Sequence, residues 1–349
     1  MIKNSQKHKK KIRALLLFSG GLDSMLTAEL LRRNNIDVIG ITFVTPFFVG
    51  KQAETSAKKI KLKLIKIDFT DEYLDLLKNP RYGYGKNMNP CIDCHTFMVK
   101  KAKSLLKKYK AQFLATGEVL GERPFSQNKN SLGLVAKNSK ADRLLLRPLS
   151  AKLLDETIPE EKGWLKKENL LGISGRSRKT QMKLAKKWGI KDYPTPASGC
   201  LLTDPGYSQR LRELMSKTKK LNKNDLEIIK FGRIFWFGDV LVLIGRNHED
   251  NVALKKLIQK NDILMKAKDF AGPQTLIRNF SKKKIAENII KKAAEMTAWY
   301  GKGKKEKQVD IIYFSSLSSD SSSVASAKLE VSAKLDSSQK LISVQPKLK

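Results

Sequence analysis

The sequence holds 349 residues, which is enough to bury a large core and to form two domains. Its 69 Lys and Arg residues against 34 Asp and Glu residues give a formal charge of +35, which favours a polyanionic partner, with nucleic acid ahead of an acidic membrane surface. No apolar run approaches the ~20 residues of a membrane span, and no secretory leader is recognisable. We therefore expect a cytoplasmic protein without a membrane partner.

The first part of the chain alternates strand-like and helix-like stretches. Residues 1–11 form a basic arm, and apolar runs follow at residues 13–18, 36–44 and 61–69 with helical stretches between them. The helical stretch "FMVKKAKSLLKKYK" and the strand-like "AQFLATGE" come next. This alternation is typical of a parallel sheet covered by helices. We predict a doubly wound α/β domain over residues 12–218.

The second part has a different pattern. Two short apolar runs meet at Gly238-Asp239, a strong signal for a two-residue β-hairpin, and helical and strand-like stretches follow. We predict a smaller α+β domain over residues 222–314. Residues 315–349 are rich in Ser, Ala and Lys with almost no aromatic residues, which predicts a disordered tail.

The stretch "SGGLDS" lies where the first strand gives way to the first helix. Glycines let the backbone approach a ligand closely, and successive N–H groups at a helix start bind anions such as phosphate. No GK[ST] follows, so the stretch is not a Walker loop. It resembles the SGGxDS pyrophosphate loop of the N-type ATP pyrophosphatase, or PP-loop, superfamily, whose sheet is adenine nucleotide alpha hydrolase-like. The resemblance implies that ATP and Mg²⁺ bind here, that ATP is cleaved between its α and β phosphates, and that AMP is left on the substrate. The implied phosphate-binding residues are Ser19, Gly20, Gly21, Asp23 and Ser24.

Three cysteines carry a second signal. Cys91 and Cys94 stand at CxxC spacing in "NPCIDCHTF", which we expect to be a loop before a helix, and Cys200 follows in "PTPASGC". An odd number of cysteines in a reducing compartment argues against structural disulfides. Three thiolates suit a 4Fe–4S cluster with one open iron. They equally suit a pair that carries a persulfide and then closes a disulfide, because a helix N-terminus lowers the pKa of a thiol.

"NPCIDC" after an SGGxDS domain resembles tRNA thiouridine synthases, in which a cysteine after Asn-Pro and a second, distant cysteine take part in sulfur transfer. The three-cysteine arrangement also resembles the cluster-dependent branch of that family. The resemblance covers roughly residues 12–215. It implies that Cys91, Cys94 and Cys200 are both the catalytic residues and the metal ligands. It also implies tRNA as a partner and a sulfur donor, which is a cysteine desulfurase, a persulfide carrier or inorganic sulfide.

Smaller signals surround these two motifs. Thr116 and Gly117 belong to an Ala-Thr-Gly segment that the family commonly has near the nucleotide. Arg147 and the basic "GRSRK" segment at residues 175–179 are candidate contacts for phosphate. His95 is interpreted as a structural neighbour of the cysteines rather than as a base.

The region around "VLIGRNHEDNVALKKL" resembles the RNA-binding domain of the NFACT family. Between residues 282 and 307 there are nine lysines against three acids, and the rings of Trp299 and Tyr300 lie nearby to stack on bases. The predicted RNA-binding residues are Arg246, Asn247, Asn251, Lys282, Lys283 and Lys284.

Together these patterns predict an ATP-dependent tRNA sulfurtransferase. It adenylates a uridine carbonyl and replaces the oxygen by sulfur, which gives 4-thiouridine or 2-thiouridine. Two alternatives stay open at this point. One is another adenylating PP-loop enzyme of the synthetase or amidotransferase type, which has no need of the cysteines, and the other is a non-catalytic protein that binds RNA or the ribosome.

Overall fold

The computed structural model describes residues 11–195, 199–281, 283–315 and 340–346. The chain divides into two compact units, Met1–Pro205 and Gly206–Lys349. The basic arm at residues 1–10 lies outside the described residues. None of the helices in the described part of the chain is both long enough and apolar enough to cross a bilayer.

The first unit contains a parallel five-stranded sheet. Its strands are β1 (Arg13–Leu17), β2 (Asp37–Val44), β3 (Lys63–Asp68), β4 (Phe113–Thr116) and β5 (Leu145–Leu146), in the spatial order β3-β2-β1-β4-β5. The successive β1 residues Ala14, Leu15 and Leu16 are all buried, so both faces of the sheet are covered. The predicted α/β class and the first four predicted strands are confirmed.

Helices connect these strands. They are α1 (Leu22–Arg33), α2 (Lys51–Lys59), α3 (Thr70–Lys78), α4 (Cys91–Ser104), α5 (Lys129–Asn138), α6 (Ile158–Glu161) and α7 (Lys179–Lys187). The strand order reverses between β1 and β4, because β2 follows β1 on one side and β4 lies on the other. In open α/β sheets the carboxyl ends of the strands at such a reversal form the ligand crevice.

The second unit is built on an antiparallel sheet. Its strands are β6 (Arg233–Phe237), β7 (Val240–Ile244), β8 (Ile263–Ala267), β9 (Thr275–Asn279), β10 (Val309–Ser315) and β11 (Lys340–Val344), in the order β11-β10-β8-β9-β7-β6. Gly238, with a φ of +60°, stands in the two-residue connection between β6 and β7, which confirms the predicted hairpin.

Four helices accompany this sheet. They are α8 (Pro205–Lys217), α9 (Lys223–Ile228), α10 (His248–Lys256) and α11 (Glu287–Trp299). The buried residues Ala293, Ala294 and Met296 of α11 share a core with Val242 and Ile277 of the sheet. Helix α8 lies in the stretch that the sequence assigns to the first domain, yet Tyr207 Oη donates a hydrogen bond to the Leu226 carbonyl of the second unit.

The predicted disordered tail is wrong at residues 340–346. Residues Lys340–Val344 form β11, which pairs antiparallel with β10, and Val344 is buried. Ile342 and Val344 alternate along this strand and pack into the core of the second unit, and the Ser-rich stretch before them hides this short signal in the sequence. The rest of the predicted tail, residues 316–339 and 347–349, lies outside the described residues.

Candidate active site

The SGGLDS turn leaves β1 and enters α1, and hydrogen bonds fix its shape. Ser24 Oγ donates to the Gly21 carbonyl at 2.8 Å and accepts from the Gly20 N–H at 3.1 Å. Ser56 Oγ of α2 donates to the Gly20 carbonyl at 2.7 Å. Gly20 has a φ of +81°, and a Cβ there would lie 2.6 Å from Ala53 Cα, so only glycine fits this position. The turn is therefore held as a backbone cradle from both neighbouring helices.

The turn after β4 lies directly against this cradle. A Cβ on Gly117 would lie 2.8 Å from both the Asp23 carbonyl carbon and the Ser24 amide nitrogen. Because β1 and β4 are neighbours, both turns stand at the carboxyl edge of the sheet where the strand order reverses. The structure thus brings the predicted residues Thr116 and Gly117 next to the predicted phosphate loop.

A buried ionic network follows Gly117. Glu118 Oε2 accepts from Arg147 Nε and from Thr116 Oγ1, each at 2.9 Å, and His95 Nδ1 lies 2.9 Å from Glu118 Oε1. Burial alone would raise the pKa of Glu118, but Arg147 and His95 together hold that pKa well below its usual range. Arg147 is therefore engaged by Glu118 and by the Leu132 carbonyl, and His95 is anchored beside the site.

Unpaired polar atoms cluster around Asp23. Among the described residues, Asp23 Oδ1, Arg178 Nε and both amide atoms of Gln181 are buried without a hydrogen-bond partner. Burial raises the pKa of Asp23, against the opposing charge of Arg178 and the neighbouring Gln181 amide. Gln181 is completely buried on α7, which is unusual for an amide that has no partner. Its polarity therefore points to a bound ligand, and sequence reasoning missed it because a glutamine within a lysine-rich helix carries no motif.

The cysteines of the CxxC pair lie within helix α4 rather than in a loop before it. Cys91 and Cys94 form the first turn of α4, so the prediction that CxxC is a loop before the helix is wrong. Pro90 at the N-cap explains the early start, because proline is tolerated at the beginning of a helix. Cys94 is buried, whereas Cys91 and Cys200 are partly exposed. The Cys200 segment meets the turn after β2 through a hydrogen bond from the Leu201 N–H to the Phe47 carbonyl.

Burial governs the thiols. It raises the pKa of Cys91 and of Cys94, and it raises the pKa of Cys200 to about 12. The expectation that the helix N-terminus lowers these pKa values is therefore wrong, because the loss of hydration outweighs the helix dipole. Asn89 Nδ2 donates to Cys91 Sγ at 3.2 Å and opposes the shift there.

Two residues outside the motifs interact with the thiols. The charge of Arg123 lowers the pKa of Asp23, Cys91 and Cys200, although burial has the larger, opposite effect on each. Tyr73 is buried among Phe47, Phe48 and Phe69, and its pKa is raised by burial and also by interactions with all three cysteines. Tyr73 therefore lies beside the three cysteines, and neither Arg123 nor Tyr73 belongs to a motif that can be recognised in the sequence.

The described residues contain no group of three or more His, Cys, Asp or Glu side chains that is arranged to hold a metal ion. The prediction of a cluster on Cys91, Cys94 and Cys200 gains no support from this arrangement. Asp23 and Glu122 are a different case, because Mg²⁺ is usually held by one or two carboxylates together with substrate phosphates. Burial raises the pKa of Glu122, and the charge of Asp23 raises it further.

The predicted RNA-binding residues of the second unit are largely engaged within the fold. Arg246 Nε donates to Asp250 Oδ2 at 2.7 Å, and Asn247 Oδ1 caps α10 by accepting from the Asp250 N–H at 2.8 Å. Asn251 Oδ1 accepts from the Gln274 N–H at 2.9 Å. Lys283 and Lys284 are exposed, and Lys282 lies outside the described residues.

This loop, this strand order and this reversal define a PP-loop nucleotide-binding fold in the first unit. Residues 10–158 match the family described as "Thiamine biosynthesis protein (ThiI)", and residues 232–334 match the "NFACT protein RNA binding domain" family. The first unit is thus similar to the ThiI family, and the second unit is similar to the NFACT RNA-binding domain family.

Individual relatives agree with these matches. The chain is 26% identical over 231 residues to a tRNA-specific 2-thiouridylase MnmA 1 of Thermoanaerobacter pseudethanolicus, a match that covers 59% of each protein. It is 30% identical over 158 residues to a probable tRNA sulfurtransferase of Ureaplasma parvum, covering 42% of this chain and 38% of the relative. A solved 4-thiouridine synthetase–RNA complex with bound ATP aligns at 19% identity and a TM-score of 0.36, over 62% of this chain and 52% of that one. The chain thus spans under two thirds of the length of these proteins.

Proposed function

We propose that this protein is an ATP-dependent enzyme that replaces a uridine carbonyl oxygen of tRNA by sulfur. One observation carries the proposal: His95, the residue after Cys94, lies 2.9 Å from Glu118, and the preceding Gly117 packs against the backbone of Asp23 and Ser24 in the SGGLDS turn. Activation of a carbonyl and delivery of sulfur require the phosphate loop and the cysteines at one place. A synthetase that only adenylates its substrate has no use for the thiols.

The phosphate cradle supports the first step. The uridine carbonyl oxygen attacks the α-phosphorus of ATP, the bond to the β-phosphate oxygen breaks, and pyrophosphate leaves. Backbone N–H groups of residues 22–24, in the first turn of α1, stabilise the charge on the departing pyrophosphate. Asp23 and Glu122 would hold Mg²⁺, which neutralises phosphate charge when bound. The carbonyl oxygen thereby becomes part of AMP, a good leaving group.

The thiols support the second step. A donor leaves a persulfide on Cys91, whose terminal sulfur attacks the activated ring carbon, and AMP departs with the former carbonyl oxygen. The Cys200 thiolate then attacks Cys91 Sγ, which forms a Cys91–Cys200 disulfide and releases the thiouridine. An external thiol reductant reopens the disulfide. Cys91 and Cys200 are the partly exposed cysteines, which suits exchange with partners better than buried Cys94 does.

The target base is held away from the RNA stack during this chemistry. The NFACT-type domain supports the proposal that tRNA is the substrate, since the matching family is an RNA-binding one. The carbon that receives sulfur, carbon 4 or carbon 2, is distinguished by the product nucleoside.

Mass spectrometry of tRNA nucleosides from a deletion strain tests the proposal. We expect one thiolated uridine to disappear and to return with the wild-type gene, but not with D23N, C91S or C200S. D75N is the matched control, because Asp75 is an exposed carboxylate that pairs only with Lys78 on its own helix among the described residues. Unchanged thiolated uridines in the deletion strain would refute the proposal and favour another adenylating enzyme.

Iron analysis separates the two sulfur mechanisms. After anaerobic purification we expect a colourless protein that becomes persulfidated at Cys91 on incubation with a cysteine desulfurase and cysteine. A brown protein that contains iron and acid-labile sulfide would contradict the persulfide route and support a 4Fe–4S cluster on the three cysteines.

A further inference from the structure

A surface of the second unit combines an exposed tryptophan and a partly exposed tyrosine with positive charge. It consists of Arg233 at the start of β6, Trp299 and Tyr300 at the end of α11, and the turn at residues 302–307, and we name it the stacking patch. The predicted RNA-binding residues Arg246, Asn247 and Asn251 are occupied by contacts within the fold. Of the predicted RNA-binding residues in the described chain, Lys283 and Lys284 remain exposed, and neither offers a ring on which a base can stack.

The rings of the patch are held in place. The Arg233 guanidinium carbon lies 4.5 Å from the centroid of the Tyr300 ring, and the Phe235 ring supports Tyr300 at 6.4 Å between centroids. Within the described part of the chain, Arg233 has no carboxylate partner. A guanidinium stacked on a ring and free of acids offers a flat, positively charged platform.

Trp299 extends the platform into solvent. Its side chain is 38% exposed, which makes it one of few large apolar residues so exposed in the described chain. A nucleic-acid base is a flat partner that can stack on this exposed ring.

The turn that follows adds charge. Lys302, Lys304, Lys305 and Lys307 are all exposed, and Glu306 is the one acid among them. Gly303 is buried in the middle of this turn, where a Cβ would lie 3.0 Å from the Phe270 ring. The lysines are therefore presented by a turn that is itself packed on the domain, close in sequence to the rings.

We infer that the stacking patch binds unpaired nucleotides of RNA, with bases stacked on Trp299 and on the Arg233–Tyr300 pair and phosphates bound by the lysines of residues 302–307. Bases within a duplex are already stacked on each other and cannot reach protein rings, so this chemistry selects single-stranded segments. The inference rests on the proposed function, since it names the part of the tRNA substrate that this domain holds.

Fluorescence anisotropy of the full chain tests the inference with two labelled probes, a single-stranded RNA dodecamer and a blunt RNA duplex of equal length. We expect W299L to weaken single-strand binding about tenfold or more, since stacking contributes about 1–3 kcal/mol per base. W299F keeps a ring and should bind nearly as wild type. Duplex binding should be unchanged in both variants.

The triple variant K302E/K304E/K305E should weaken both probes and reduce the salt slope of single-strand binding by about 2, at roughly 0.7 per lost phosphate contact. Wild-type affinity of W299L for the single strand, or an equal loss on both probes, would overturn the inference. Circular dichroism verifies that each variant folds.

The same samples separate this inference from the proposed function. D23N should retain single-strand binding while it loses thiolation, because Asp23 belongs to the phosphate loop. If the deletion strain keeps its thiolated uridines while W299L still loses single-strand binding, the proposed function fails and the stacking patch stands.

Discussion

Each unit contains a buried, paired arginine, Arg147 in the first and Arg278 in the second, but the first unit also contains a cluster of buried polar atoms without partners among the described residues. In the second unit Arg278, nearly inaccessible to solvent, donates to both Asp225 and Asp262 and to the Leu257 carbonyl, so a buried charge is fully paired. In the first unit Asp23 Oδ1, Arg178 Nε and both Gln181 amide atoms are buried and unpaired in the described structure. Buried polar groups that are paired stabilise the fold. Buried polar groups that lack partners and cluster where the strand order reverses indicate a ligand-binding site.

One atom in the second unit departs from this contrast. Trp236 Nε1 is buried and has no hydrogen-bond partner among the described residues. It is a single atom beneath Phe280 and Lys217 rather than part of a cluster, so it indicates no site.

The largest expected effect is the loss of stability when the paired residue Arg278 is replaced. R278M leaves Asp225 and Asp262 buried without a cation, so we expect the free energy of unfolding to fall by about 3–5 kcal/mol. Urea denaturation measures it. A loss below about 1 kcal/mol would show that the pairing does not hold the second unit together.

The thiols provide the next test. Because the pKa of Cys200 is about 12, its thiolate fraction at pH 8 is small, and iodoacetamide should alkylate it roughly a hundredfold more slowly than free cysteine. The rate should rise about tenfold per pH unit up to the pKa. Mass spectrometry of peptides after timed quenching measures the rate for each cysteine. Fast alkylation at pH 7 would mean that Cys200 is already a thiolate.

A smaller effect is expected from substitution of Gln181. The direction of the stability change distinguishes a ligand-binding residue from one that stabilises the fold. Q181L removes two unpaired polar atoms, so stability should be unchanged or increase, while the Kd for ATP should rise about tenfold through one lost hydrogen bond to a charged group. Isothermal titration with ATP and urea denaturation of the same samples give both quantities. Q181E should not restore binding, since it brings a negative charge to phosphate. A destabilised Q181L with normal ATP affinity would reverse the assignment.

The smallest effect is expected at Arg246. Its side chain is 44% exposed, and its buried partner Asp250 also accepts from the backbone N–H groups of Gly232 and Arg246, so R246A should cost about 1 kcal/mol. Single-stranded RNA binding should fall less than threefold. A tenfold loss in the anisotropy assay would return Arg246 to the RNA-binding surface.

Much of the fold follows from local patterns. The apolar runs predict β1 to β3, and Gly238-Asp239 predicts the β6–β7 hairpin. These signals are local, because a few neighbouring residues determine a strand or a turn. The start of α4 is missed by six residues, since "NPCIDC" carries no apolar period to announce a helix. Strand β11 is missed because its partner β10 stands far away in the sequence.

The site is divided in the same way. The phosphate-loop residues and the cysteines belong to recognisable motifs, and the sequence predicts them. Arg123, Tyr73 and Gln181 come from the turn after β4, from α3 and from α7, and their relation to the motifs exists only after the chain folds. Arg246 and Asn247 show the opposite case. Their sequence resembles a binding motif, but in the structure Arg246 forms an ion pair and Asn247 caps a helix.

The contact at Gly117 has a consequence for how the proposed site can vary. Main-chain atoms set the separation between the turn after β1 and the turn after β4, since a Cβ on Gly117 would meet Asp23 and Ser24 at 2.8 Å. Substitutions of other side chains leave those main-chain atoms chemically unchanged. The shape of the proposed nucleotide site can thus stay constant while the side chains around it change.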